Sequence, residues 1–358
     1  MNARAPIIWC LLAALLFGAS TPLAKILLED MGPLFLAALL YLGAAFAVFP
    51  ATLTGGSIEV ALSKRNLGLL AGAILFGGVA GPVLLLAGLQ RAPAGSVSLW
   101  LNLETVATAL LAWSFFKEDM GRRTWVAVVL VTAGGVVLAL PVEAASLEAG
   151  ALVAAACLCW GLDNNFTALI DGLTPEQSTF GKGVVAGLFN LTLAFALADH
   201  PLGSSSSPDA IFAALALGGL CYGVSISLYI RGAQQLGAAR SQLLFSAAPF
   251  FGLVVAWSLL REPILWSQGV AGLLMAGGLF FMLRADHRHT HSHVPVTHTH
   301  SHTHDDGHHH HSHDTPLSSD RHSHEHSHTA MVHDHEHRPD LHHRHDHEPE
   351  HDLEHGDR

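Results

Sequence analysis

Ala112-Trp113-Ser114-Phe115-Phe116-Lys117-Glu118 is answered 144 residues later by Ala256-Trp257-Ser258-Leu259-Leu260-Arg261-Glu262. Each stretch closes an apolar run with a basic and then an acidic residue. Two further matches keep almost the same spacing. Phe17-Gly18 pairs with Trp160-Gly161, and Ala133-Gly134-Gly135 with Ala276-Gly277-Gly278, both 143 apart. Three matches, in order and at nearly one offset, exceed what shared apolar composition supplies. The chain reads as two copies of one unit, 1–145 and 146–285, followed by a different material over 286–358.

Crossing a bilayer takes about 20 mostly apolar residues. The runs of that kind are Ile7–Leu28, Pro33–Leu53, Leu67–Leu89, Ala94–Phe116, Thr124–Val142, Gly150–Ile170, Ser178–Ala198, Ile211–Ile230, Ala238–Leu260 and Ile264–Leu283. Arg4 followed by Ile7–Phe17 and small residues has the outline of a signal peptide, but the apolar character continues past Pro22 to Leu28, so a retained helix is expected. Short connections between runs imply antiparallel neighbours in a bundle. Gly77-Gly78, Gly134-Gly135 and Gly277-Gly278 let backbones approach closely inside a membrane. With five helices per copy, the second copy enters the membrane upside down. The expected fold is all-α and membrane-embedded: about ten transmembrane helices as two inverted five-helix repeats, with a disordered C-terminal tail.

Composition agrees. The chain is 50% hydrophobic and 13% charged, against about 25% charged in soluble domains. Before Ala285 there are 13 basic and 14 acidic residues; from there on, 5 and 15. Cys10, Cys157, Cys159 and Cys221 all lie in apolar runs, which argues for plain thiols rather than a disulfide framework. With the N-terminus placed in the cytoplasm, Arg4, Lys64, Arg65, Lys117, Arg122, Arg123, Arg231, Arg240 and Arg284 fall inside. Lys25, Arg91 and Arg261 fall outside. Nine against three favours both termini in the cytoplasm of a cell (inner or plasma) membrane protein.

Phe17-Gly18-Ala19-Ser20-Thr21-Pro22-Leu23-Ala24-Lys25 resembles the first-helix pattern of EamA-type transporters in the drug/metabolite transporter superfamily. Trp160-Gly161 opens the matching pattern in the second copy. Ala238 to Glu262, with Pro249 mid-helix, is similar to the family's fourth helix of each repeat. The resemblance covers Ile7 to Leu283. It implies alternating-access transport of metabolites, amino acids, drugs or metal-binding small molecules, and no catalysis. One departure stands out: Thr105 occupies the first-copy position of Pro249, with Glu104 beside it.

A carboxylate at membrane depth is costly and tends to face a cavity or a partner. Glu104, about ten residues into its run, is a candidate for a substrate, cation or proton role, against a purely structural hydrogen bond. Asp163, with Asn164 and Asn165, carries the same two readings and sits nearer the end of its run. Asn102, Thr105 and Thr108 form one polar stripe, and Glu104 with Thr108 forms a second pair. Lys25 and Lys182 lie near run ends, where snorkelling to headgroups is the plain reading. Tyr222, Ser225, Ser227, Gln234 and Gln235 are cavity candidates whose plain reading is interhelical contact.

The tail holds 26 of the 27 histidines, mostly as His-X-His. With nothing to bury it is expected to be disordered. Imidazole beside carboxylate suits Zn²⁺, Ni²⁺, Co²⁺ or Cu²⁺. The fixed spacing of a structural zinc module is absent, so low-specificity sites are expected among His289, His291, His293, His308, His309, His310, His311, His324, His326, His335, His337, His345 and His347. The alternative is a pH-sensitive polar tail. No resident cofactor is expected.

Three functions compete. The first is a secondary transporter of a small solute whose tail buffers or senses metal. The second is a carrier of a transition-metal ion or metal-chelating metabolite. The third is a membrane metal sensor that transports nothing. The inverted repeat and the intramembrane carboxylates favour transport. The expected partners are the lipid bilayer and a small-molecule or metal-complex substrate, with a homodimer as a compatible assembly and no nucleic acid.

Overall fold

The computed structural model describes residues 4–53, 64–116, 121–140, 144–170, 173–197, 207–236, 244–283, 287–293, 296–303, 321–328 and 331–337. The body consists of α1 (Arg4–Leu27), α2 (Pro33–Thr52), α3 (Lys64–Ala73), α4 (Gly81–Leu89), α5 (Ala94–Trp100), α6 (Leu103–Phe116), α7 (Arg122–Leu138), α8 (Ala144–Ala168), α9 (Pro175–Leu197), α10 (Pro208–Leu217), α11 (Ser225–Leu236), α12 (Ala248–Leu259) and α13 (Trp266–Leu283). These follow the apolar runs in order; three runs hold two helices each. Five described helices are long and apolar enough to cross a membrane: Ala5–Leu27, Pro33–Thr52, Lys64–Leu89, Glu176–Leu197 and Pro208–Gly232. Large apolar side chains point outward, such as Phe46 at 84% exposed and Leu273 at 78%. That suits lipid rather than water as the surrounding solvent.

Two kinds of interruption shape the bundle. Ile74–Ala80 joins α3 to α4 as a π-helical turn, and Gly218–Val224 joins α10 to α11 in the same way, starting 144 residues later. A π turn is rare, and such turns recur at functional sites. The other interruption is the turn at Leu101–Asn102 between α5 and α6. Asn102 accounts for it: its side-chain amide donates to the Leu99 carbonyl at 2.9 Å, competing with the helical ladder. Ser246–Ala247 forms the matching turn in the second half, and there Pro249 opens α12, where its missing N–H is harmless. The first half reaches the same break without the proline.

Packing is crossed between the halves. α1 lies on α12 and α8 on α6, while α2 pairs with α9 and α7 with α13. Gly18 and Gly161 allow the first two approaches. A Cβ on Gly18 would sit 2.2 Å from the Ala248 carbonyl oxygen, and one on Gly161 would sit 3.0 Å from the Thr108 nitrogen. The aromatic-glycine motif of both copies is thus a backbone-contact motif. Pro22 lies inside α1, which continues past it to Leu27. The cysteines are free, with Cys10, Cys157 and Cys221 buried.

In the tail, four segments are extended: β1 (His287–His293), β2 (Val296–Thr303), β3 (Arg321–His328) and β4 (Met331–His337). β1 pairs antiparallel with β4, and β2 with β3. The rest of the tail lies outside the described residues. His-X-His is a period-two pattern, and the intervening Thr and Val favour extended backbone. Two-stranded ladders without an apolar face are marginal in water, so the tail still has no core of its own.

Candidate functional site

α8 and α9 bring together two charges that lie 19 residues apart. Lys182 Nζ donates to Asp163 Oδ1 at 2.8 Å and to Oδ2 at 3.0 Å. Thr167, one turn on from Asp163, donates to Oδ1 at 2.9 Å and accepts from Lys182 at 3.4 Å. Both charged side chains are largely buried. Lys182 therefore turns inward instead of snorkelling. A buried pair of this kind is tolerable only because each partner satisfies the other.

The next residue, Asn164, faces α6. Its amide donates to Glu104 Oε1 at 2.9 Å and to Thr108 Oγ1 at 3.2 Å. Glu104 and Thr108 stand one turn apart and share this partner. Asn165 is buried and donates to the Gly161 carbonyl at 2.7 Å and the Thr108 carbonyl at 3.4 Å, fastening α8 to α6. Asn102 is also buried and serves the helix break described above. Of the six polar residues singled out in the sequence, Glu104, Thr108 and Asn164 form one hydrogen-bonded group and Asp163 forms a second with Lys182 and Thr167, while Asn102 and Asn165 hold backbone.

Exposure along α8 shows what this group faces. Leu147, Ala151 and Leu158 are exposed on one stripe. Val153 and Cys157, in line with Asn164 at helical spacing, are fully buried. Asn164 is nevertheless exposed. On a stripe that otherwise packs against protein, that exposure leaves the Asn164 amide accessible beside Glu104 and Thr108.

Sequence reasoning missed the residue against which Asp163 packs. Gly77 lies in the π turn Ile74–Ala80. Its carbonyl accepts from the Tyr41 hydroxyl at 2.5 Å and from Trp160 Nε1 at 3.1 Å, and the neighbouring Gly78 carbonyl accepts from Asn190 Nδ2 at 3.1 Å. A Cβ on Gly77 would fall 2.0 Å from Asp163 Oδ2. The missing side chain is what admits the Asp163 carboxylate. The Gly-Gly pair in the sequence was the available signal.

The family model for EamA-like transporters matches residues 4–140 and again residues 149–284. The chain belongs to the EamA-like transporter family. It is similar to an uncharacterized transporter of Methanothermobacter thermautotrophicus, at 26% identity over 289 residues, covering 75% of this chain and 83% of that one. A solved crystal structure aligns with a TM-score of 0.55 and 17% identity over 78% of this chain and 96% of its own, a likeness of fold. The protein is a multi-pass membrane transporter, and its relatives are transporters rather than enzymes.

This EamA-like chain is tied together at the end of the bundle where α1 finishes and α5 begins. Lys25 Nζ donates to the Ala92 carbonyl, so this lysine too has a protein partner. Glu262 accepts from the Ala94 and Gly95 N–H groups at 2.6 and 2.9 Å, capping α5 from the other half of the chain. Arg261 adopts left-handed backbone at φ 53° in the turn that aims Glu262. Gln268, fully buried, donates to Ser96 Oγ at 3.2 Å and accepts from Trp257 Nε1 at 2.9 Å. Glu118, the repeat counterpart of Glu262, lies outside the described residues.

Ser225 is buried and donates to the Ala13 carbonyl at 2.9 Å, and Ser227 bonds within its own helix. Tyr222 stacks edge-on against Phe17. The side chains of Gln234 and Gln235 lie outside the described residues. In the tail, His289 faces His335 and His291 faces His333, while His324 and His326 face His300 and His298. His293 pairs with Met331, and His337 with His287. His308, His309, His310, His311, His345 and His347 fall outside the described residues. Among the described residues, no group of three or more His, Cys, Asp or Glu converges on a metal position.

Proposed function

We propose that this EamA-like protein is a secondary transporter of a small solute, working by alternating access through an internal cavity lined by Glu104, Thr108, Asp163 and Asn164. The exposure of Asn164 on a buried stripe of α8 carries this reading. The cavity candidates stand beside a broken helix and a π turn, where irregular backbone is tolerated at membrane depth because it lines a cavity. The ties at Lys25, Glu262 and Gln268 close one end, and the polar group leaves the interior open to a solute from the other. Asn102, Asn165 and Lys182 hold the walls. Solute accumulation in cells lacking or overproducing the protein tests the reading: accumulation must change with the protein and not with a Glu104→Gln chain of equal membrane abundance.

In this proposal ten helices cross a cell membrane as two inverted repeats, with both termini cytoplasmic. A reporter active only in the cytoplasm is expected to be active when fused after Arg284. Activity of a periplasmic reporter at that point, with the cytoplasmic one silent, inverts the orientation.

The tail binds transition metals and modulates the transporter without forming its path. The His-X-His repeats with intervening carboxylates support this, since imidazole beside carboxylate suits such metals. Protons compete for the same nitrogens near the ordinary histidine range of about 6.5. A peptide of Asp286–Arg358 is expected to bind several Zn²⁺ or Ni²⁺ ions at neutral pH and few at acidic pH. A chain ending at Ala285 keeps its transport and loses its response to metal. Calorimetry without binding heat at neutral pH removes the metal role.

A further inference from the structure

We infer that the solute is an organic cation, whose ammonium group pairs with Glu104 and whose body lies along the rings of Tyr41, Tyr222, Phe17 and Phe245. The inference rests on the transport reading above and adds the chemical class of the cargo.

Charge balance supplies the first half. Glu104, Asp163 and Lys182 reach the interior from α6, α8 and α9. Asp163 and Lys182 neutralise each other. Glu104 is held by the neutral amide of Asn164, and among the described residues it makes no ion pair. Among the described residues, one carboxylate is therefore left without an ion-pair partner of its own, where a cavity or a partner must accommodate it. A monovalent cation balances it. An anion would add a second uncompensated charge, and Lys182 is already engaged by Asp163 and Thr167.

The second half is a row of rings. Tyr41 and Tyr222 have centroids 6.3 Å apart, Tyr222 and Phe17 5.7 Å, and Phe17 and Phe245 5.5 Å. They come from α2, the π turn Gly218–Val224, α1 and the segment ahead of α12. All four are half-buried, whereas Gly18, Cys221 and Gly223 beside them are buried. The row meets the charged group at Gly77: Tyr41 donates to the Gly77 carbonyl, and the Asp163 carboxylate lies against the same residue. Aromatic faces attract cations, most strongly where water is scarce. Glu104 stands off from that junction, held by Asn164, the chain neighbour of Asp163; a carboxylate near one end of a ring row fits an amine on an apolar or aromatic body.

The test uses three probes of one shape: phenethylamine, 2-phenylethanol and phenylacetate. Their saturable binding to the purified full chain in lipid nanodiscs is measured by competition. The amine is expected to bind at least about tenfold more tightly than the other two, about 1.4 kcal/mol of discrimination. Glu104→Gln should erase that preference. Glu104→Asp, which keeps the charge, should retain it, so that misfolding is separated from loss of recognition. Equal binding of amine and alcohol, preference for phenylacetate, no saturable amine binding, or an intact preference in Glu104→Gln each overturns the inference. Protein-dependent flux of neutral or anionic solutes in proteoliposomes overturns the cation while leaving transport standing. Absence of flux for all three classes removes the transport reading itself.

Discussion

Gly77→Ala is expected to cut solute flux sharply while leaving the chain in the membrane. The added methyl would stand 2.0 Å from Asp163 Oδ2, and alanine has no rotamer with which to escape. Either the Asp163 carboxylate leaves Lys182 or the π turn moves and gives up the bonds from Tyr41 and Trp160 to the Gly77 carbonyl. Overpacking of this kind costs about 1–3 kcal/mol, and displacing a buried carboxylate from its partner adds to it. Flux is expected to fall by at least about tenfold, the equivalent of 1.4 kcal/mol. Gly181→Ala is the control. It sits in α9 beside Lys182, and a Cβ there meets nothing within 4 Å. That substitution should leave flux intact and raise helix stability by up to about 1 kcal/mol. Wild-type flux in Gly77→Ala would show that Asp163 does not depend on this gap.

Lys182→Met produces the second large effect, on stability. Asp163 would then be a buried carboxylate with only Thr167 as a hydrogen-bond donor. Removing one partner of a buried ion pair costs about 3–5 kcal/mol, whereas replacing both with apolar residues is often neutral. Thermal denaturation in detergent should therefore rank the chains in a particular way: Lys182→Met far below wild type, and Asp163→Leu/Lys182→Met close to it. Flux should be absent in both, because the double variant restores packing and not the polar wall. Equal melting of the single variant and wild type would mean that the pair contributes little and that Lys182 finds water in place of Asp163.

The order of the helices was legible because an apolar run of membrane length has few alternatives, and the repeat at offsets 143 and 144 announced two related halves. Glu104, Thr108, Asp163 and Asn164 were singled out as candidates for a similar reason: polar side chains inside apolar runs are conspicuous by their cost. The partner of each was not. Asp163 and Lys182 lie on consecutive helices, and only packing decides whether two such charges meet or diverge. Lys182 looked like a headgroup anchor because position along a helix says nothing about which face a lysine presents. The π turns were hidden because Ile74–Ala80 and Gly218–Val224 are apolar and glycine-rich like everything around them. The ties made by Glu262 span more than 160 residues to Ala94 and Gly95, a distance over which periodicity carries no information. In the tail, the reading of an unstructured segment rested on the absence of anything to bury, and composition does not exclude the pairing of period-two stretches.

The paired π turns also bear on ancestry. A widened turn changes the number of residues needed to complete a helix, so it enters a chain as an odd residue that neighbours must absorb. Both halves carry one, beginning at Ile74 and at Gly218, 144 residues apart. Around it they have diverged: Gly77 and Gly78 in one half stand where Cys221 and Tyr222 stand in the other. One family description fits each half. An irregularity at the same place in both halves is what a common origin of the two predicts, with each half putting it to a different use. In the first half it makes room for a carboxylate. In the second it carries a tyrosine toward the opposite wall.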